Sequence, residues 1–355
     1  MSIADIARPE IRRLKPYQAA SQVADFVRLN ANEAPWVNDI DLFERPLNRY
    51  PEIRPARLRT ALALRFGAEP ENLLVTRGTS EAIDLLIRAF CVAGRDNIVT
   101  TRPSFSMYRH YAAVQGADVI EVGTHRDRNF QVDADDVLAA SNDATRLIFL
   151  CTPNNPTGTS IDQKTIVEIL DQTQQRCAVV VDEAYIEFSS ATSMANLLAT
   201  YDNLIVLRTL SKALAFAGAR CGAVIGPADV IDMLDAIQAP YALATPVVEC
   251  VEKALEQQWL DEAKRRVKDI VSERQRVANA LNEFSFVNRL WPSDANFVLV
   301  AVDSAADIML AARDAGLLLR HFGGELDDCL RITIGNQDEN DLLLKLLSNV
   351  EAQRG

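Results

Sequence analysis

The sequence predicts an α/β protein with a large unit built on a mostly parallel, doubly wound sheet, followed by a smaller α+β unit. Two observations support this prediction. Short apolar, β-branched runs alternate with amphipathic helical stretches through the first two thirds of the chain, which is typical of parallel strands connected by helices. After Pro246 the pattern changes to long charged helices, followed by two strands that each precede a helix. We therefore place a domain boundary near residue 245.

The predicted strands of the large unit are apolar throughout rather than alternating, as expected where helices cover both faces of a sheet. Apolar residues at helical spacing predict helices over Glu81–Val92, capped by Thr79 or Ser80, and over Thr165–Gln175. The predicted strands are Asn72–Thr76, Asn97–Thr100, Val119–Val122, Leu147–Leu150, Ala178–Val181 and Leu204–Leu207.

The C-terminal part, residues 246–355, predicts a separate small domain, which leaves residues 29–245 for the large one. One or two long charged helices are expected within Val247–Phe284. The remaining predicted elements are a strand at Ala295–Val300, a helix near Ala305–Ala315, a strand at Cys329–Ile334 and a terminal helix that starts near Asp338.

The composition argues against several classes of function. The chain has 355 residues, and 49 acidic against 37 basic side chains give a net charge of −12. Nucleic acid is therefore not expected as a partner, because phosphate backbones bind basic surfaces. We find neither a signal peptide nor the ~20 consecutive apolar residues of a membrane span. The three histidines lack metal-ligand spacing. We expect a cytoplasmic protein that binds neither membrane nor metal.

Hydroxyl and cationic side chains follow the last of these strands. Thr209 and Ser211 precede Lys212, and Arg220 lies eight residues further on. Ligands bind at the carboxyl ends of parallel strands, where two hydroxyls and a guanidinium fork suit a phosphate. The lysine amine could form a Schiff base with a carbonyl compound. A surface loop with a solvated lysine is the alternative interpretation of the tetrapeptide alone.

Three other strand ends carry polar residues. Asp182 directly follows a fully apolar run, and a carboxylate buried there needs a cation or a donor, such as a protonated pyridine nitrogen. Tyr185 could reach the same ligand. Asn155 lies in a turn fixed by two prolines and a glycine. Gly78 opens a strand-to-helix turn whose free N–H groups suit a phosphate. Each segment alone also fits a plain turn or a helix cap.

Together these segments supply what pyridoxal phosphate requires: an amine for its aldehyde, a phosphate clamp, a partner for the ring nitrogen and donors to the phenolic oxygen. Over essentially its whole length the chain resembles the fold-type I, class I and II aminotransferases, which use this cofactor. The matching motifs are Asn155-Pro-Thr-Gly, Asp182-x-x-Tyr185, and Ser211-Lys212 with Arg220. Within that family the chain is similar to the histidinol-phosphate aminotransferases, through segments that begin at Leu29, Arg49, Arg77, Asn154, Asp182, Arg208, Ala239 and Leu330.

The resemblance implies a set of cofactor contacts. Lys212 is implied to hold the cofactor covalently and to move the proton, and Asp182 to pair with the ring nitrogen. Asn155 and Tyr185 are implied to donate to the phenolic oxygen. Phe105 takes the place of an aromatic residue that stacks on the pyridine ring. The residues implied to hold the phosphate are Gly78, Thr79, Ser80, Thr209, Ser211, Arg220 and, from the other subunit, Tyr50.

The resemblance also implies a homodimer and a substrate site. Arg331 matches the arginine that binds the amino donor's carboxylate or the phosphate of histidinol phosphate. Tyr17 and Arg320 match positions that help to bind the substrate's phosphate or side chain. Residues 1–28 correspond to an arm that packs on the small domain and the partner subunit. The segment His321-Phe322-Gly323 departs from the family pattern, in which an acidic residue and a longer loop often follow the arginine.

The implied reaction is amino exchange between L-histidinol phosphate and 2-oxoglutarate, giving imidazole-acetol phosphate and glutamate in histidine biosynthesis. Two alternatives have the same architecture: an aminotransferase for aromatic or other amino acids, and a decarboxylase for a phosphorylated amino acid such as threonine phosphate. A further hypothesis is a non-catalytic cofactor-binding module, against which the intact Lys212 and Asp182 argue. The expected partners are small-molecule substrates and a second copy of the chain.

Overall fold

The structure, a computed structural model, describes residues 2–17, 22 and 28–354. It contains two β-sheets surrounded by helices. The strands of the larger sheet are β1 (Leu73–Thr76), β2 (Asn97–Arg102), β3 (Asp118–Gly123), β4 (Thr145–Cys151), β5 (Ala178–Asp182), β6 (Leu204–Thr209) and β7 (Gly222–Ile225). Those of the smaller sheet are β8 (Val287–Leu290), β9 (Phe297–Val302), β10 (Arg320–His321) and β11 (Cys329–Thr333).

The larger sheet is mostly parallel, in the order β1–β7–β6–β5–β4–β2–β3. Strands β3, β2, β4, β5 and β6 pair in parallel, and β7 is antiparallel to both of its neighbours, β6 and β1. The smaller sheet is antiparallel, in the order β10–β11–β9–β8. The predicted fold class, an α/β large unit with an α+β unit after it, is confirmed.

Helices cover the sheets in the pattern that the strand–helix alternation predicts. The α-helices are α1 (Pro9–Arg12), α2 (Ala56–Phe66), α3 (Thr79–Phe90), α4 (Met107–Gln115), α5 (Ala134–Ala140), α6 (Gln163–Thr173), α7 (Ala228–Ile237), α8 (Thr245–Ala254), α9 (Gln257–Leu281), α10 (Ala305–Asp314) and α11 (Gln337–Ala352). Short 3-10 helices lie at Ile3–Ile6, Pro70–Asn72, Arg126–Arg128, Ile186–Phe188, Met194–Leu197, Ala217–Ala219 and Gly324–Leu326.

The six predicted strands of the large unit all form, and several extend at their carboxyl ends into polar residues such as Asp182 and Thr209. Strand β7 was not predicted, because four residues that begin with glycine give too short a signal. The prediction that Thr79 or Ser80 caps α3 is wrong. Gly78 is the N-cap residue, with φ of +75°, a left-handed conformation that favours glycine.

Both faces of the central strands β4, β5 and β6 are buried, as their apolar sequences predict. In β5, Val179 and Val181 lie in one hydrophobic cluster, which includes residues of α2, α5 and α6. The alternate residues Ala178 and Val180 lie in a second cluster, with residues of α3, α4 and α7. Since neither face of these central strands contacts solvent, their carboxyl ends are the places where they can offer polar groups to a ligand.

The hydrophobic contacts of α8 and α9 divide between the two units. Val248 and Val251 of α8 lie in the cluster of the larger sheet, whereas Val277 and Leu281 of α9 lie in the cluster of the smaller sheet. Ile270, in the middle of α9, packs against both clusters. A division of the chain by its hydrophobic cores therefore falls within α9 rather than at residue 245.

The first residues of the chain pack on the large unit. Ile3 and Ala7 are buried in the cluster that contains α3 and α7, and Arg8 donates to a backbone carbonyl of α3 at 3.0 Å. This part of the expected arm therefore does not lie on the small domain. Residues 18–21 and 23–27 lie outside the described residues. Within the described ranges, no helix is long and apolar enough to cross a membrane.

A close approach of two backbone segments at Gly222 gives a first testable prediction. A Cβ added there would lie 2.7 Å from the carbonyl oxygen of Arg208 and 3.1 Å from Cα of Gly78. We expect Gly222→Ala to lower the free energy of unfolding by about 1–3 kcal/mol, measured by denaturant titration. Gly123→Ala is the matched control, since a Cβ there meets nothing within 4 Å. Equal stability of the two variants would contradict this account of the packing.

Candidate active site

The carboxyl ends of β4, β5 and β6 open onto a cavity of about 1080 Å³, into which the smaller sheet also projects side chains. Parallel strands bring their carboxyl ends to one edge of the sheet, so residues far apart in sequence meet there. The expected site residues that line this cavity are Thr79, Ser80, Phe105, Asn155, Asp182, Tyr185, Thr209, Ser211, Lys212, Arg220, Arg320 and Arg331.

Three expected residues do not line the cavity. Gly78 lies behind Arg220, whose guanidinium would come within 2.8 Å of an added Cβ. Tyr50 stacks on Tyr241 with ring centroids 4.7 Å apart, and Tyr17 meets the same ring edge-on at 6.5 Å. Both Tyr17 and Tyr50 are about half exposed. A single chain therefore does not bring these two tyrosines into its own cavity.

Asp182 lies at the floor of the cavity, where only 2% of its surface is exposed. Its carboxylate accepts hydrogen bonds from the Tyr108 hydroxyl at 2.8 Å and from the Ala184 N–H at 3.1 Å. Burial raises the pKa of Asp182 to about 6, while these two donors and the charge of Lys212 act in the opposite direction. The carboxylate is therefore mostly ionised at neutral pH despite its burial.

Lys212 extends into the same cavity. Burial lowers the pKa of its amine, and repulsion from Arg331 and Arg220 lowers it further, while Asp182 opposes these effects. The Nζ atom lies 5.6 Å from the ring centroid of Tyr185. A lowered pKa leaves more of the amine unprotonated at neutral pH, and only the unprotonated amine can act as a nucleophile or a general base.

The part of the cavity near Arg220 has the character of an anion site. The Arg220 guanidinium donates to the Ser211 hydroxyl at 3.5 Å and to the Ala217 carbonyl at 3.2 Å. The Thr209 hydroxyl donates to the Ser211 hydroxyl at 3.0 Å. The first two residues of α3 also line the cavity, and its N-cap glycine offers no side chain to the first N–H groups. A helix N-terminus, hydroxyls and a guanidinium together suit a phosphate.

Asn155 links the Tyr185 phenol to Arg331. Its amide nitrogen donates to the Tyr185 oxygen at 3.4 Å, and its amide oxygen accepts from the Arg331 guanidinium. Burial raises the pKa of Tyr185, so the phenol keeps its proton at neutral pH. The turn after β4, the turn after β5 and the smaller sheet therefore meet at this one contact.

The smaller sheet places two arginines side by side. Arg320 of β10 lies directly opposite Arg331 of β11. The Phe322 ring lies beside both, with its centroid 5.5 Å from one guanidinium carbon and 5.8 Å from the other. In the described part of the chain, neither guanidinium forms an ion pair with a carboxylate. The segment that departs from the family pattern thus supplies an aromatic ring to a pair of cations that can receive an anion.

Tyr108 and two charged pairs at the mouth of the cavity are not predicted by the sequence. Tyr108 lies in α4, fully buried, and nothing in its local sequence points to Asp182, which is 74 residues away. At the mouth, Arg102 pairs with Glu325 at 3.6 Å, and a second pair joins Arg109 to Glu121. These residues lie on different elements, so no motif spacing connects them.

The sequence of this chain is similar to those of aminotransferases along nearly its whole length. The family model for aminotransferases of class I and II matches residues 19–347. A histidinol-phosphate aminotransferase of Xanthomonas euvesicatoria pv. vesicatoria is 42% identical over 99% of this chain and 98% of its own. Another from Xanthomonas campestris pv. campestris (strain 8004) is 43% identical over 98% of this chain and 97% of its own.

The solved structures agree with the sequence comparisons. The structure of histidinol-phosphate aminotransferase from Sinorhizobium meliloti in complex with pyridoxal-5'-phosphate is 26% identical, with a TM-score of 0.78. The match covers 87% of this chain and 84% of that one. The family model spans most of the chain, and the relatives match it nearly end to end. This chain therefore belongs to the class I and II aminotransferase family.

Proposed function

We propose that this protein is a pyridoxal-phosphate-dependent aminotransferase that exchanges the amino group between L-histidinol phosphate and 2-oxoglutarate. The products are imidazole-acetol phosphate and glutamate, in histidine biosynthesis, and a cytoplasmic location stays the expectation. The proposal is supported by the names of relatives that are 42% and 43% identical over nearly the whole chain. The structural observation that carries it is a pair of arginines that form no ion pair within the described residues and that line one cavity with Lys212.

The residues of the cavity fit pyridoxal phosphate at both of its ends. The phosphate fits between the amino end of α3 and the group formed by Thr209, Ser211 and Arg220. At the other end, the buried Asp182 provides a carboxylate for a protonated ring nitrogen. Phe105, which also lines the cavity, offers an aromatic face for stacking. The Nζ atom of Lys212 is available for the aldehyde carbon.

When bound, the cofactor supplies the electron sink that makes the Cα–H bond of an amino substrate acidic. Asp182 keeps a negative charge next to the site of the ring nitrogen, which favours the protonated, electron-withdrawing form of the ring. Lys212, with its lowered pKa, would accept the proton from Cα as general base and hold it for return as general acid. Asn155 and Tyr185 supply neutral donors to an oxygen of the cofactor.

Arg331 and Arg320 are the proposed site of the substrate's anionic group. A phosphate receives two guanidinium forks well, because each fork donates two parallel hydrogen bonds. Asn155 orients Arg331 toward the cavity through their hydrogen bond, and Phe322 packs against both arginines. Arg331 also serves the carboxylates of glutamate and 2-oxoglutarate in the second half of the reaction.

We propose that the protein functions as a homodimer. Residues 28–50 contain no helix or strand and carry exposed apolar side chains, among them Leu29 and Leu42 at 90%, Ile40 at 82% and Trp36 at 71%. Apolar surface of this kind marks an interface. The same segment ends at Tyr50, which does not reach the cavity of its own chain. A second copy of the chain would cover the apolar side chains and receive Tyr50 in its site.

Removal of the lysine amine tests the catalytic assignment. We expect Lys212→Ala to fold with a normal circular dichroism spectrum and to lose about 100- to 10,000-fold in the rate of amino transfer, because Lys212 is the one lysine among the described residues of the cavity lining. Lys264→Ala, which removes an exposed lysine of α9, is the matched control and should keep full activity. Turnover of Lys212→Ala at the wild-type rate would refute the assignment.

The amino donor is tested by half-reactions without a keto acid. The holoenzyme is mixed separately with histidinol phosphate, phenylalanine, tyrosine and threonine phosphate, and conversion of the cofactor to its amine form is followed by absorbance. We expect histidinol phosphate to react fastest. Arg320→Gln and Arg331→Gln should each lower kcat/KM for it by about 10- to 100-fold, the effect of losing a charged hydrogen bond. Arg313→Gln, on the exposed side of α10, should change nothing.

Other outcomes of this experiment would replace the proposal. Faster conversion by phenylalanine or tyrosine would identify an aminotransferase for aromatic amino acids, with the same cofactor site. Release of carbon dioxide from threonine phosphate, without conversion of the cofactor, would identify a decarboxylase.

The dimer is tested by sedimentation. We expect the wild type to sediment as a dimer and Leu42→Glu to sediment as a monomer, because a carboxylate buried in an apolar interface is strongly unfavourable. Leu318→Glu is the control, since Leu318 is 88% exposed and its neighbours Leu317 and Leu319 pack on the cluster of the smaller sheet. A monomeric wild type, or a dimeric Leu42→Glu variant, would contradict the assignment of this surface.

A further inference from the structure

Tyr108 is a fully buried tyrosine whose hydroxyl donates to the Asp182 carboxylate at 2.8 Å. Its ring is fixed on two sides. It stacks on Phe149 of β4 with centroids 4.8 Å apart and an interplanar angle of 17°, and it meets Phe105 edge-on at 5.7 Å. The ring contacts therefore fix the hydroxyl at the carboxyl ends of β4 and β5, beside Cys151 and Asp182.

Tyr108 differs from the other titratable groups around Asp182 in the kind of contact that it makes with the carboxylate. The Ala184 N–H is the other donor to the carboxylate, at 3.1 Å. Among the described residues, Tyr108 is the only side chain that donates a hydrogen bond to Asp182. The other titratable groups that face the carboxylate interact with it through charge alone: Cys151 from β4, Tyr185 from the turn after β5, and Lys212 from the loop after β6.

We propose that Tyr108 is a positioning residue that keeps Asp182 ionised and oriented toward the ring nitrogen of the cofactor. This inference rests on the proposed function, because it concerns the carboxylate that serves pyridoxal phosphate. Tyr108 acts through Asp182 and needs no contact with the cofactor or the substrate.

The electrostatics of the buried pair support this role. Burial pushes the pKa of Asp182 upward, and the Tyr108 hydrogen bond opposes that shift, since a donor stabilises the charged form of a carboxylate. Burial also raises the pKa of Tyr108 well above its ordinary value, so the phenol keeps the proton that it donates. Without this hydroxyl, Asp182 would compete more strongly for the proton that the ring nitrogen must hold.

The test uses Tyr108→Phe, which keeps the ring and removes one oxygen atom. The holoenzyme is prepared with cofactor labelled with ¹⁵N in the pyridine ring, and the ¹⁵N chemical shift reports how far the nitrogen is protonated. We expect the proton distribution between nitrogen and Asp182 to move toward Asp182 by about 10- to 100-fold, the effect of losing a hydrogen bond to a charged group. Tyr111→Phe removes a hydroxyl from the same helix, outside the cavity lining, and should leave the resonance unchanged.

A second pair of variants shows whether the effect passes through Asp182. In an Asp182→Asn background, Tyr108→Phe should produce no further change in the ¹⁵N shift, because a neutral amide has no charge to stabilise. If Tyr108→Phe does not fold, 3-fluorotyrosine at position 108 keeps the ring and strengthens the donor. At a pH where the wild-type nitrogen is half protonated, it should move the resonance toward the protonated form.

The possible failures are distinguishable. Failure of the wild type to bind the labelled cofactor would reject the proposed function itself. The role of Tyr108 would be overturned if the wild type binds the labelled cofactor normally but the ¹⁵N resonance is unchanged in Tyr108→Phe or in the fluorotyrosine variant. A further change upon Tyr108→Phe in the Asp182→Asn background would also overturn it, because the effect would not depend on the carboxylate.

Discussion

A carboxylate buried at the end of the central strand β5 is the constraint on which the site depends. A charge in the interior is costly unless fixed donors or opposite charges compensate for it. Here the compensation comes from three places: the Tyr108 hydroxyl from α4, the Ala184 amide from the next turn, and the charge of Lys212 from the loop after β6. The parallel order of β4, β5 and β6 brings these groups together, so the sheet topology is itself part of the electrostatic arrangement.

The position of the smaller sheet decides whether Arg331 and Arg320 face that carboxylate and lysine. Two guanidinium groups lie 5.4 Å from the centroid of the Trp291 ring. One belongs to Arg126 of the large unit and the other to Arg289 of the small unit. Gly158, with φ of +78°, lies where a Cβ would come within 2.2 Å of the Ser293 hydroxyl. The glycine of the Asn-Pro-Thr-Gly motif therefore serves the contact between the two units as well as its own turn.

The sequence predicted the parts of the structure that follow from local patterns. Apolar runs were sufficient to predict six strands, because helices cover both faces of this sheet. Polar residues at strand ends, such as Asp182, were sufficient to predict many of the residues that line the cavity. The antiparallel β7 and the helix cap at Gly78 depend on the close approach of two backbone segments that are distant in sequence. A local sequence pattern does not predict such an approach. Tyr108 escaped prediction because its partner is distant in sequence and its neighbours follow no motif.

The charges in the cavity differ in sign from those of the molecule as a whole. The chain has a net charge of −12, yet six basic and three acidic side chains line the cavity. Arg102 and Arg109 pair with carboxylates, whereas the other four basic side chains of the lining form no ion pair within the described residues. Burial, together with repulsion from Arg331 and Arg220, lowers the pKa of Lys212, and an anion bound at either arginine would remove part of that repulsion. An anionic ligand at Arg331 or Arg220 would therefore raise the pKa of Lys212 back toward its ordinary value.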